Sequence, residues 1–201
     1  MIFEYNKQIN KNYWNSLLKH KEMFGMKFPD RISITEEDEK MAKQKVSEFS
    51  ALWDRDDELR EKISKIYKYN LPETLECYIV TTKTSAIYLE KKCILLSMYR
   101  ENIHIPATII HEFSHIAFLD KYRDICKELG YTKNGIQELK EVFTVINNLE
   151  FKDIEEKGYS VHQDIRKIVK KMWLETHNLE KIISDPKIIS LVNSLNTIVK
   201  S

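Results

Sequence analysis

Residues 106 to 122 read Pro-Ala-Thr-Ile-Ile-His-Glu-Phe-Ser-His-Ile-Ala-Phe-Leu-Asp-Lys-Tyr, and this run decides how the rest of the chain is read. Pro106 suits the first turn of a helix, where its missing N–H costs nothing. In a helix of about 3.6 residues per turn, His111 and His115 stand about 40° apart, one above the other, so both imidazoles can reach a single metal ion. Glu112 lies about 100° from His111, beside such an ion and not aimed at it, which is the place for a general base. Ile109, Phe113, Ile116 and Ala117 fall on the opposite face and give the helix an apolar stripe for the core. Zinc suits two imidazoles, because it acts as a Lewis acid, lowers the pKa of bound water towards ~7 and can keep a coordination position open. Chance would produce this five-residue pattern in about one such chain in a hundred, and a helical context makes it rarer.

His111-Glu112-Phe113-Ser114-His115 resembles the active-site motif of the zincin metallopeptidases. Residues 116 to 121, Ile-Ala-Phe-Leu-Asp-Lys, lack the glycine and third histidine that mark the metzincin branch. Resemblance to the remaining gluzincin branch implies a glutamate on a following helix as third ligand. Two glutamates compete for it: Glu138, with 22 residues between it and His115, and Glu141, with 25. Helical geometry favours Glu138, which lies nearer the stripe of Leu139, Val142, Ile146 and Leu149. The run Glu141-Val142-Phe143-Thr144 resembles the family's local pattern and favours Glu141. One departure is Val145, where thermolysin-like enzymes often carry an acid that orients a histidine. Asn147, Asn148 or Glu138 would have to serve instead.

The resemblance implies one zinc ion per chain held by His111, His115 and Glu141, with Glu112 as the base that activates water against a peptide bond. It also implies a donor for the oxyanion, for which His162 and Tyr159 are the candidates. His104 is a weaker candidate, and His20 and His177 read as solvated helix positions. A peptide or protein substrate would lie as an added strand along Lys92–Met98, the segment leading into the motif helix. Trp14, Phe49, Trp53 and Tyr67 read as helical core ahead of specificity elements. The alternative is a non-catalytic zinc-binding regulatory or interaction protein on the same scaffold. Peptide deformylases share the helix motif with a cysteine ligand, but the neighbours of Cys93 do not fit their pattern.

Outside the motif, the texture is helical at both ends. Tyr13, Trp14, Leu17, Leu18 and Met23 suggest a helix ending near Gly25, and Arg31–Ile34 a brief strand. Thr35 before Glu36, Glu37 and Asp38 is a helix start, with a capping hydroxyl and acids in the first turn. Helical spacing continues to Tyr67 before the break at 69–72. Leu75–Val80, Ser85–Glu90 and Lys92–Met98 read as three strands, the first with a period of two. Helices return over 106–122, 136–151, 162–175 and 186–199. The expected fold is α+β and zincin-like: predominantly helical, with a small antiparallel sheet packed on the motif helix. One domain spans 1–201, with a helical part at 1–72, the sheet and site helices at 73–161, and C-terminal helices at 162–201.

With 32 Lys and Arg against 31 Asp and Glu, the net charge of +1 gives no field that would draw nucleic acid or an acidic membrane. There is no signal-peptide-like start and no run of apolar residues long enough to span a bilayer. Cys77, Cys93 and Cys126 are odd in number and form no Cys-x-x-Cys pair, which suggests reduced core thiols and a cytoplasmic setting. The sequence leaves the oligomeric state open.

Overall fold

A computed structural model describes residues 1–19, 34–155 and 157–198. Met23, Gly25 and Arg31–Ser33 lie outside them, as does His20. The described residues form two compact units, one from 1–56 and 72–109, the other from 57–71 and 110–201.

The first unit is built on a four-stranded sheet. Strands β1 (Ile2–Glu4), β2 (Glu76–Val80), β3 (Ala86–Tyr88) and β4 (Cys93–Ser97) lie in the order β1-β2-β4-β3. The sheet is mixed, which corrects the antiparallel expectation. β1 runs parallel to β2 and β2 parallel to β4, and only β3 pairs antiparallel, with β4. Burial explains the misreading. Residues 77–80 and all of β4 are buried, so both faces are covered and the strands carry apolar residues almost continuously, as parallel neighbours do. β1 went unread because its three residues alternate exposed, buried, exposed at a polar start.

Helices α1 (Lys7–Lys19) and α2 (Glu36–Leu52) pack on β2. Thr35 accepts from the Asp38 N–H and the Asp38 carboxylate accepts from the Thr35 N–H, so the expected helix start is a full capping box. Asn10 is fully buried yet satisfied, since Thr81 at the end of β2 donates to its Oδ1 and accepts from its Nδ2. Phe49 and Trp53 are core, and Tyr67 is core in the other unit.

The second unit is helical. It holds most of α3 (Asp56–Tyr67), α4 (Ile105–Glu128) from Ile110 onward, α5 (Lys133–Phe143), α6 (Asn147–Glu150), α7 (Gln163–Thr176), α8 (Leu179–Ile183) and α9 (Pro186–Ile198). Residues 112–119 of α4 are all buried, so this helix is covered all round and not merely striped. Phe118 stacks edge-on against Phe143 at 5.4 Å, which fixes α5 against α4. The expected single helix over 136–151 is broken. The Glu141 carbonyl accepts from the Thr144 hydroxyl at 2.9 Å and from Arg166 Nη1 at 3.1 Å, and residues 144–146 tighten into a 3-10 turn. Among the described residues, no helix is long and apolar enough to cross a membrane. All three cysteines are free and buried.

Gly135, in the first turn of α5, shows how closely α9 approaches. A Cβ there would stand 2.4 Å from Asn193 Oδ1. That oxygen cannot swing away freely, because Asn193 accepts from the Thr132 N–H and donates to the Gly130 carbonyl, both at 3.0 Å. Gly135→Ala is therefore expected to lose about 1–2 kcal/mol, with overpacking outweighing the better helix propensity of alanine. Urea denaturation followed by tryptophan fluorescence checks this. An alanine variant as stable as the parent would show that Asn193 yields.

Candidate metal centre

The site is assembled by α4 and α5. One turn of α4 stacks His111 on His115, with ring centroids 4.2 Å apart and ring planes at 70°. The Phe118–Phe143 contact, three residues beyond His115 and two beyond Glu141, sets the distance between the helices. Glu141 Oε1 then lies 3.2 Å from His115 Nε2, and Oε2 lies 3.6 Å from His111 Nε2. Ligand atoms about 2.0–2.1 Å from a tetrahedral ion are about 3.3 Å apart, so these spacings match the edges of such a site. Among the described residues this is the one group whose atoms could hold a metal ion, and all of them lie within 4.8 Å of one another. No cysteine belongs to it. Glu138 does not belong to it either.

Electrostatics prepare the same donors. Burial drives the pKa of His115 down to about 3 from 6.5, and the neighbouring charges of Lys140 and His111 push the same way, so the ring is neutral with a lone pair to offer. Both His115 nitrogens are buried without a hydrogen-bond partner, although Nε2 is close to Glu141. A buried imidazole left unpaired costs free energy, and a cation between it and the carboxylate would remove that cost. Burial raises the pKa of Glu141, but His115, Lys140 and His111 together outweigh it and hold the carboxyl below the usual carboxylate range. Lys140 Nζ also pairs with Oε1 of Glu141, so its ammonium competes with any cation there. These residues fit a divalent metal with nitrogen and oxygen ligands.

A proton-linked stability change follows. The unfolded chain binds the proton that folded His115 refuses, so stability rises with pH between about 3 and 6.5 and is lost as pH falls through that window. Glu141 adds loss in the same direction at lower pH. Metal-free protein should show a urea midpoint that drops on acidification, at up to about 1.4 kcal/mol per pH unit for one proton. His115→Gln should flatten that slope, and an equal slope in the variant would exclude His115 as its source.

The other expected residues gather beside this group of possible ligands. Glu138 Oε2 is 2.7 Å from His162 Nε2, and His162 is 2% exposed with its Nδ1 unpartnered. Glu138, Lys140, Glu141, Tyr159 and His162 line one cavity of ≈ 430 Å³. Tyr159 packs edge-on against His162 at 5.5 Å. Its pKa is raised by loss of solvent and then by the charges of Glu141, Glu112 and Glu138, which keeps its hydroxyl protonated although the residue is 61% exposed overall. Glu112 is 9% exposed.

His115 Nδ1 has no partner, so none of Asn147, Asn148 and Glu138 orients that ring through it. Asn147 instead accepts from the Ser114 hydroxyl at 3.1 Å, tying α6 to α4. His104 is exposed and sits 3.6 Å from Glu101, and His177 is exposed at the end of α7. Lys140 and Arg166 escaped the sequence reading. Arg166 left one trace, a cation between Ile165 and Val169 in the buried stripe of α7. No protein-family model matches the chain, and neither does any curated protein or solved structure.

Proposed function

We propose that the chain is a zinc-dependent metallopeptidase that hydrolyses peptide bonds, with His111, His115 and Glu141 as the ligands of one zinc ion. The observation that carries the reading is the reach of Glu141 to both imidazoles, at 3.2 and 3.6 Å, from a helix 25 residues downstream. Two imidazoles and one carboxylate are a donor set of catalytic zinc sites, which keep a fourth position open. Zinc bound there supplies Lewis acidity to the substrate carbonyl and to water.

The remaining steps belong to side chains. Glu112, carried on the turn between the two histidines, accepts a proton from the attacking water and passes it to the leaving amine. Tyr159, whose hydroxyl stays protonated, donates to the carbonyl oxygen as negative charge develops. Glu138 fixes the His162 ring through Nε2 at 2.7 Å, and that ring packs edge-on against Tyr159 at 5.5 Å, holding the donor at the wall of the cavity.

Elemental mass spectrometry on untagged protein, paired with incubation against a mixed peptide library read by mass spectrometry, tests the reading. The expected result is one zinc per chain and cleavage that stops with a chelator and returns with zinc. Absence of zinc from protein supplied with it sinks the proposal. Zinc with no cleavage in any peptide favours a zinc-binding regulatory protein.

A further inference from the structure

A second cavity, also of ≈ 430 Å³, opens among Gln163, Arg166, Lys167 and Lys170 of α7 and Glu155 and Lys157 of the preceding loop. Residues 163, 166, 167 and 170 fall on one face of a helix, so this concentration of charge is set by spacing. Among the described residues, three lysines and Arg166 line the cavity with one carboxylate, Glu155, in a chain whose net charge is only +1. Lys157 and Lys170 make no ion pair among the described residues, and the pair of Lys167 with Asp164 at 3.0 Å is solvated on both sides. The positive charge without an ion pair therefore sits on Lys157 and Lys170, at exposed positions of the rim.

The walls are held in place. Gln163 Nε2 donates to the Lys157 carbonyl at 2.6 Å and to the Tyr159 carbonyl at 3.3 Å, pinning the loop onto α7. Arg166 is 3% exposed, and its Nη1 donates to Thr144 Oγ1 at 2.7 Å and to the Glu141 carbonyl at 3.1 Å. Gly158, at φ +65°, lies against that guanidinium, and a Cβ there would stand 2.7 Å from Arg166 Cζ. Lysine ammoniums on an exposed rim above a fixed, buried guanidinium suit phosphate oxygens, and the volume is that of a small-ligand pocket. Several like charges lining one cavity are relieved best by a ligand carrying more than one negative charge.

We propose that this cavity binds a diphosphate group, either free pyrophosphate or the diphosphate of a nucleotide. Its ligand meets the loop that carries Tyr159 and the guanidinium that holds the Glu141 backbone, so occupancy would be felt at the metal centre. That consequence rests on Glu141 being a zinc ligand; the binding itself does not.

Calorimetric titration of the full chain at low salt with inorganic pyrophosphate, adenosine diphosphate and adenosine tests it. One pyrophosphate per chain is expected. The paired substitution Lys157→Glu and Lys170→Glu, at exposed positions, should weaken binding about tenfold or more, while Lys157→Arg with Lys170→Arg retains it. Equal affinity for pyrophosphate and adenosine diphosphate assigns recognition to the phosphates alone. Tighter adenosine diphosphate assigns a nucleotide, and adenosine should not bind. Absence of pyrophosphate binding overturns the proposal. So does binding unchanged by the glutamate pair, which would place the anion elsewhere, the metal centre included. Neither result bears on zinc content or peptide cleavage, so failure here leaves the peptidase reading standing.

Discussion

Glu112→Gln is expected to keep about one zinc per chain and to lower peptide turnover by about 10²–10⁴-fold, the range that a positioned proton-transfer group contributes. The amide has nearly the shape of the carboxylate, so the 9%-exposed position on α4 keeps its packing. Glu112 is not among the residues whose atoms converge as possible ligands, so the metal has no reason to leave. What is lost is a group able to take a proton from water and return it to the leaving amine. Zinc content and turnover must be measured on the same preparation. Unchanged turnover would remove Glu112 from the chemistry. Loss of zinc with the substitution would make it a ligand, and the geometry of α4 would need rereading.

The sequence exposed the centre because its two histidines are local. A helical repeat alone stacks His111 on His115, and their rings are 4.2 Å apart. The third donor depends on how α5 meets α4, which the spacing of Glu138 and Glu141 leaves open. In the fold Glu141 is the one beside the two histidines, with Phe143 against Phe118, and no helical stripe could reveal that pair. The break after Glu141 was illegible for a similar reason. It depends on Arg166, 25 residues away, taking a carbonyl that a continuing helix would use. In the sheet, three strands were legible, Leu75–Val80 from a period of two and Lys92–Met98 from its apolar run. The direction of β2 and β4 was not, because strands buried on both faces lose the alternation by which antiparallel strands are known. The helix start at Thr35 fared best, because its cap is an interaction contained within four residues, whereas the start at Thr132, capped in the same way, lies before the expected 136.

Glu141→Ala is expected to cost the chain its metal. The substitution removes the carboxylate from 3.2 Å of one imidazole and 3.6 Å of the other, leaving two nitrogen donors. It also strips Lys140 of the carboxylate oxygen its ammonium holds, so a positive charge remains beside the site and repels a divalent ion. Zinc affinity, read by competition with a chromophoric chelator, should fall by more than the about 10–100-fold that accompanies loss of a partner hydrogen-bonded to a ligand. Glu138→Ala is the matched control. Glu138 is committed to His162 at 2.7 Å, so its removal should leave zinc in place and reduce turnover alone, by loosening the His162 ring. The pair of variants separates the two glutamates by different readouts, metal content for one and catalysis for the other. Zinc retained without Glu141 and lost without Glu138 would reverse the assignment, and α5 would have to turn to bring Glu138 to the histidines.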